Sequence, residues 1–260
     1  MRYGRFSRPR GSKNRSRLRL CAVFSHPHSS PPQTYGLLYK VGWNIAYLER
    51  YVQSGLFDKK IIICINKYMK ICLIRHGETD WNNIGKLQGR EDIPLNKNGI
   101  EQINNVVKYL KYNNWKIIIS SPLSRAKMSA KIISKEIGNI KIYEENDFIE
   151  RDYGKVSGMT IEERKANFPN GNCEGIEPME TLKNRTVTAI MKYLKKYENN
   201  DIIIVSHGAV INSILAYLSE NEIGSGKTVL KNACITLLEK TIDQIKIIFY
   251  NKTANELKNE

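Results

Sequence analysis

The chain has 260 residues and is 41% hydrophobic, which is enough to bury the core of one or two domains. Its formal net charge of +15 is uneven, because residues 1–68 carry 13 Lys and Arg against 2 Asp and Glu, whereas residues 69–260 carry 28 against 24. The excess charge therefore belongs to the amino-terminal segment, and it gives no reason to expect that the remainder binds nucleic acid.

The amino-terminal segment, residues 1–68, is rich in Arg, Ser and Pro over its first 34 positions, which contain no acidic residue, and is mixed in composition after them. Three interpretations remain open: an organelle transit peptide, a basic tail that contacts nucleic acid or an anionic surface, or a disordered or non-native extension upstream of the working protein. We favour the third, because the composition changes at Met69 and a strand pattern begins directly after it. We predict a folded domain over residues 69–250 and a polar tail over residues 251–260.

The five cysteines are an odd number and form no CxxC pair, which is typical of reduced thiols inside a cell. We therefore expect a cytoplasmic protein, or an imported one if residues 1–34 are a transit peptide. No apolar run approaches the ~18–20 residues that a membrane-spanning helix needs, so we expect no membrane partner.

The first predicted element of the domain is a buried strand over residues 70–74, followed at once by Arg75, His76 and Gly77. Ligands of open α/β sheets bind at this carboxyl edge of the strands. Arginine offers a planar fork of donors to phosphate, and an uncharged imidazole beside it could attack phosphorus and carry the phosphoryl group. The segment therefore favours an enzyme that transfers phosphoryl groups through a histidine nucleophile.

The remaining pattern alternates helices with strands. Further strands are predicted over residues 115–119, 140–143, 201–205, 233–239 and 244–250. Helices are predicted from an Asn96 cap to Leu110, from a Ser121 cap to Gly138, and over residues 161–168, 179–197 and 209–218. This alternation predicts a sheet with helices on both faces.

Only two histidines lie in residues 69–260, and both follow an apolar strand and precede a glycine. A single histidine is more often structural than catalytic. His76 and His207 share the same setting, however, and would face one pocket if their strands are parallel neighbours.

Two further groups could complete such a pocket. Arg125 is placed in the first turn of the helix after residues 115–119, where it and free backbone N–H groups point to the same edge. Glu150 is the candidate acid, although the residue pattern alone does not prefer it to Glu144, Glu145 or Asp152.

Four segments resemble the motifs of the histidine phosphatase superfamily, also called the phosphoglycerate mutase-like family. They are residues 75–82, 120–126, 150–154 and 205–208, in the order that the family has, and the resemblance covers about residues 69–250.

This resemblance implies a three-layer α/β/α sandwich with a mixed, mostly parallel six-stranded sheet, working without a metal or other cofactor. It implies that His76 is the nucleophile and that Glu150 donates a proton and later activates water. Neighbouring cations should lower the pKa of His76 and keep it neutral. The implied phosphate- and substrate-binding residues are Arg75, Asn82, Gln88, Gly89, Arg125, His207 and Gly208.

The expected function is hydrolysis of a small phosphorylated metabolite by a monomer or homodimer. A phosphoglycerate mutase is the first alternative, but only 56 residues lie between Glu150 and His207, and no paired-arginine element follows Glu150. A non-catalytic phosphate-binding or interaction module is the second. Residues 224–228 resemble the end of a P-loop, but Asn221 stands where that pattern requires glycine, so we do not predict nucleotide triphosphate binding.

Overall fold

The computed structural model describes residues 68–198 and 200–258. The predictions made for residues 1–67 lie outside the described residues. Within the described part, no helix is long and apolar enough to cross a membrane.

Six strands form one sheet. Their bounds are β1 Met69–Arg75, β2 Trp115–Ser120, β3 Ile142–Glu144, β4 Asp201–Ser206, β5 Ile235–Lys240 and β6 Ile245–Lys252. Their order in the sheet is β3-β2-β4-β1-β5-β6. β1, β2, β3 and β4 pair in parallel, and β5 and β6 add two antiparallel strands beside β1. The predicted mixed, mostly parallel six-stranded sheet is confirmed. β6 continues two residues beyond the predicted end of the domain.

Six helices accompany the sheet: α1 Asp80–Asn83, α2 Lys97–Leu110, α3 Ser124–Glu136, α4 Ile161–Asn167, α5 Met179–Lys196 and α6 Gly208–Leu218. The apolar faces of α5 and α6 pack on one side of the sheet, and those of α2 and α3 pack on the other. The central strands β1 and β4 are covered on both sides, which explains their continuous apolar sequences. The predicted three-layer sandwich is confirmed.

The predicted start of the helix after β2 is wrong. α3 begins at Ser124, and its preceding residue Leu123 is extended and has no side-chain cap. The Ser121 hydroxyl instead accepts the Leu123 N–H (3.3 Å) and contacts His207 (2.7 Å). The serine at this position therefore belongs to a tight turn at the sheet edge.

The register of β1 and β4 determines where the two histidines lie. The strands are parallel neighbours, and Arg75 stands opposite Ser206. His76 and His207 consequently leave the same edge of the sheet, one residue beyond that pair.

Candidate active site

The two histidines form the centre of the candidate site. Their ring centroids are 5.1 Å apart and the rings are tilted by 58°. The His76 N–H donates to the Ser206 carbonyl (3.0 Å), which ties together the ends of the two strands. Both rings are buried. The short distance between them confirms that the two histidines meet, as the sequence predicted.

His76 has one ring nitrogen fixed and the other directed at a cation. Its Nδ1 lies 2.7 Å from the Gly77 carbonyl, which can only accept, so Nδ1 carries the hydrogen and Nε2 keeps a lone pair. The Arg125 Nε–H donates to that Nε2 (3.3 Å). Burial, and after it the charges of Arg125 and Arg75, holds the pKa of His76 well below its usual value. The predicted direction is right, but burial contributes more than the cations do.

Two arginines, Arg125 buried and Arg75 partly buried, supply the positive charge of the site. Arg125 donates from Nη1 to the Glu91 carbonyl (2.6 Å) and from Nη2 to the Gly89 carbonyl (2.8 Å), which leaves its Nε facing His76. Burial lowers the pKa of Arg125 to about 10, so the group remains charged at neutral pH. Arg75 donates from Nη1 to the Leu230 carbonyl, and its buried Nε has no partner among the residues described.

His207 lies fully buried beside these groups. Its Nε2 lies 2.7 Å from the Ser121 Oγ, and its Nδ1 has no hydrogen-bond partner in the described part of the chain. Burial, followed by the charges of Arg125, His76 and Arg75, lowers the pKa of His207 well below its usual value. A second neutral imidazole therefore lies next to the first.

Glu150 reaches the site from the segment after β3. Its Oε1 accepts the Arg151 N–H (2.9 Å), and its Oε2 accepts the Ala209 N–H (3.3 Å) in the first turn of α6. A Cβ atom on Gly208 would lie 3.7 Å from the Arg75 Nε and 3.9 Å from the Glu150 Oε2. Gly208 therefore adjoins both the arginine and the carboxyl group.

The three other candidate acids are engaged elsewhere. Glu144 forms an ion pair with a lysine of α3 (2.9 Å), and Glu145 accepts from a lysine and a tyrosine of α5. The Asp152 Oδ1 accepts the N–H of the glycine two residues later (2.8 Å). Among these four carboxyl groups, only that of Glu150 accepts a hydrogen bond from the start of α6 within the described residues.

Asn82 supports the loop that follows β1. Its Oδ1 accepts hydrogen bonds from the Thr79 N–H (3.2 Å) and the Asn232 Nδ2 (3.0 Å). The same Asn232 Nδ2 lies 3.5 Å from the His76 carbonyl. Asn82 therefore stabilises the loop that follows β1 through its side-chain amide oxygen.

Gln88 and Gly89 lie on the loop that anchors Arg125. The Gln88 side chain is buried, and its Oε1 has no partner within the described residues. Gly89 has a φ of +55°, and a Cβ atom there would lie 2.9 Å from the Ser157 Oγ. Glycine at this position lets the loop turn and pack closely enough for its carbonyl to meet Arg125.

Several groups of the site were not predicted from the sequence. Ser121 was predicted as a helix cap, and the Leu230 carbonyl is a backbone atom that no side-chain pattern reveals. Glu177 and Arg185 form an ion pair behind Glu150, although they come from a loop and a long helix that gave no catalytic signal. In the described part of the chain, no group of three or more His, Cys, Asp or Glu side chains is placed to hold a metal ion.

Comparisons with known proteins show which family the chain resembles. Residues 71–253 match the sequence model of the histidine phosphatase superfamily (branch 1). The chain is 40% identical over 181 residues to the "uncharacterized phosphatase PhoE" of Bacillus subtilis (strain 168), an alignment that covers 70% of this chain and 93% of that protein. It is 29% identical over 196 residues to a 2,3-bisphosphoglycerate-dependent phosphoglycerate mutase of Buchnera aphidicola subsp. Cinara cedri (strain Cc), covering 58% and 84% of the two chains.

Among solved structures, a phosphoserine phosphatase from Entamoeba histolytica in complex with 3-phosphoglyceric acid matches with a TM-score of 0.63. It is 32% identical to this chain, and the match covers 72% of this chain and 99% of that one.

Proposed function

The chain belongs to the histidine phosphatase superfamily, and on that basis we propose that it hydrolyses small phosphate monoesters through a phosphohistidine on His76. The observation that carries this proposal is the environment of the His76 Nε2. This atom keeps its lone pair because Nδ1 donates to Gly77, and it lies against a buried guanidinium group. A neutral nucleophile beside fixed positive charge is what attack on a phosphate anion requires.

In the first step, the phosphate group binds among Arg75, Arg125 and His207. The His76 Nε2 forms a bond to phosphorus while the bond from phosphorus to the ester oxygen breaks, and Glu150 gives its proton to that oxygen. The Gly77 carbonyl accepts from Nδ1 and stabilises the positive charge that develops on the ring. The two arginines are already desolvated and oriented, so they stabilise the transition state without further reorganisation.

In the second step, Glu150 has become a carboxylate. It takes a proton from a water molecule as the oxygen of that water attacks the phosphohistidine. The nitrogen–phosphorus bond breaks, inorganic phosphate leaves, and His76 returns to its neutral form with the proton back on Glu150.

Two reactions are candidates: hydrolysis of a phosphate monoester and transfer of a phosphoryl group within a phosphoglycerate. The match to a phosphoserine phosphatase, at 32% identity, supports hydrolysis of a small metabolite phosphate. The match to a phosphoglycerate mutase, at 29% identity, supports transfer between positions of a phosphoglycerate as the second candidate. We favour hydrolysis because the segment between Glu150 and His207 is short.

The test is a substrate panel with product identification, run with and without EDTA. The panel contains p-nitrophenyl phosphate, O-phosphoserine, sugar phosphates, α-ribazole phosphate and 3-phosphoglycerate with its bisphosphate primer. We expect release of free phosphate that EDTA does not inhibit. Interconversion of phosphoglycerates without phosphate release would support the mutase instead.

Two variants test the residue roles on the same panel. His76→Ala should lower turnover by at least about a thousandfold, because it removes the nucleophile. Glu150→Gln should lower kcat/KM on alkyl phosphates by about 10²–10⁴-fold, since a general acid contributes that much. Glu144→Gln, an exposed carboxyl group near the same segment, is the matched control and should leave the rates unchanged. An active His76→Ala protein would contradict the scheme.

A further inference from the structure

Behind Glu150 lies a buried ion pair that the two-step mechanism above does not use. Arg185 extends from α5, and Glu177 precedes that helix. The Arg185 Nε donates to the Glu177 Oε1 (2.6 Å), and its Nη2 donates to the Oε2 of the same carboxylate (2.9 Å). The side chains are only 14% and 7% exposed, so this is a bidentate pair shielded from water.

The remaining donors of Arg185 bind the backbone of the segment that carries Glu150. Its Nη1 donates to the carbonyls of Asp147 (2.6 Å) and Ile149 (2.8 Å), and its Nη2 donates to that of Glu150 (3.2 Å). A guanidinium group has five N–H donors, and these contacts use all five. The plane of one side chain therefore determines the path of residues 147–150.

Glu177 holds the same segment from the other side of Glu150. Its Oε2 accepts the Asp152 N–H (3.2 Å), its own N–H donates to the Asp152 carbonyl (2.9 Å), and its carbonyl accepts from the Arg151 Nε (2.8 Å). Burial raises the pKa of Glu177, but the hydrogen bonds and charge of Arg185, together with the Asp152 N–H and the charge of Arg90, outweigh burial, and the net shift is downward. Glu177 is thus ionised at neutral pH and able to accept all of these bonds.

Resting on the function proposed above, we propose that Arg185 is a positioning residue for the proton transfer by Glu150. A buried ion pair stabilises a fold no better than packed apolar side chains of similar volume, so its presence is not explained by stability alone. What apolar side chains cannot do is hold the carbonyl groups of Asp147, Ile149 and Glu150 through one planar group. Arg185, braced by Glu177, does so directly behind the carboxyl group that faces the leaving group.

The experiment compares two aryl phosphates that differ in their need for a proton. The leaving group of p-nitrophenyl phosphate departs readily as an anion, whereas that of phenyl phosphate is a poorer leaving group and depends more on the acid. Arg185→Lys keeps the positive charge but loses the planar guanidinium group that binds the three carbonyl groups at once. It should lower kcat/KM for phenyl phosphate by about 10–100-fold and for p-nitrophenyl phosphate by less than about threefold.

Three further variants separate positioning from folding. Glu177→Gln weakens the ion pair that orients Arg185. Like Arg185→Lys, it should lower kcat/KM for phenyl phosphate more than kcat/KM for p-nitrophenyl phosphate. Lys183→Gln removes an exposed ion pair with Glu180 on the same helix (2.7 Å) and should change neither rate. In a protein that already carries Glu150→Gln, Arg185→Lys should cost less than about a further twofold on phenyl phosphate, because no proton donor is left to position.

The outcomes are distinct. Equal losses on both esters, or an undiminished loss in the Glu150→Gln background, would overturn the positioning role while leaving the proposed function intact. Hydrolysis of p-nitrophenyl phosphate that survives His76→Ala would overturn the proposed function and the positioning role together. If Arg185→Lys does not fold, Glu177→Gln in both backgrounds decides the same question.

Discussion

Two hydrogen bonds of Ser121 bear on how His207 can bind phosphate. The Ser121 Oγ accepts the Leu123 N–H (3.3 Å) and lies 2.7 Å from the His207 Nε2, to which its own hydroxyl hydrogen can donate. A neutral imidazole that accepts at Nε2 carries its hydrogen on Nδ1. The Nδ1 atom is buried and unpartnered among the described residues, so this tautomer presents a donor to a bound phosphate.

We predict that Ser121→Ala weakens phosphate binding. Without the hydroxyl, both tautomers of His207 become accessible and the donor is only partly available. The inhibition constant of inorganic phosphate should rise by about 3–10-fold, which corresponds to the loss of one hydrogen bond. Steady-state inhibition measures it, and Ser121→Thr, which keeps the hydroxyl, is the control. An inhibition constant in Ser121→Ala equal to that of the wild type would contradict this account.

The sequence located most of the site because its residues follow strands or begin helices. His76, His207 and Arg125 were predicted to meet at one edge of the sheet, and their observed positions follow from the pairing of β1, β2 and β4. Ser121 was misassigned because a serine before a proline also matches a helix start, and its true partner lies 86 residues away. The sequence pattern around Arg185 did not indicate a role at the site, because an arginine in a long helix is usually exposed to solvent.

The amino-terminal end of α2 packs tightly against the loop that carries His76. Asn96 caps the helix by accepting the Gly99 N–H (2.8 Å), and its Nδ2 donates to the Glu78 Oε1 (2.9 Å). A Cβ atom on Gly99 would overlap the Glu78 carbonyl, and one on Gly77 would overlap the backbone of Gly99. Two glycines therefore allow the helix and the loop to approach each other closely.

We predict that Gly99→Ala destabilises the protein although alanine is the better helix former. The gain in helix propensity is about 1 kcal/mol, but the added methyl group must displace backbone atoms. Overpacking costs about 1–3 kcal/mol, and because this contact is with backbone atoms the cost should exceed the gain. The displacement also shifts the loop under His76, so activity should fall as well. Urea unfolding measures the stability. Glu101→Ala, an exposed position on the same helix, should stay within about 0.5 kcal/mol of the wild type, and a Gly99→Ala protein as stable as that control would contradict the prediction.

Helices and strands were easier to predict than their ends. The period of apolar residues located α2 and α5, because one face of each is buried in the core. The ends depend on contacts between distant residues. β3 lies at Ile142–Glu144 rather than over residues 140–143, because its register is set by pairing with β2.

The folded domain buries two imidazole groups, and burial favours their neutral forms. The pKa values of His76 and His207 both lie well below the usual 6.5, chiefly because of burial. An unfolded chain would protonate both rings as the pH falls below about 6.5, whereas the native chain resists protonation. The unfolded state then binds more protons, so the stability of the native state must fall with falling pH.

We predict that the free energy of unfolding is nearly flat between about pH 7 and pH 8 and decreases below pH 6.5. Each buried histidine should contribute a slope of up to about 1.4 kcal/mol per pH unit once the unfolded form is protonated. The carboxyl groups of Glu145 and Glu177, whose pKa values are lowered from 4.5, lose their contributions only below that value, so pH 5 to 6.5 isolates the histidines. Urea unfolding in phosphate-free buffer measures the slope. His76→Ala should reduce it by about half, because one of the two neutral rings is gone, and an unchanged slope in that variant would show that His76 is already charged in the native protein.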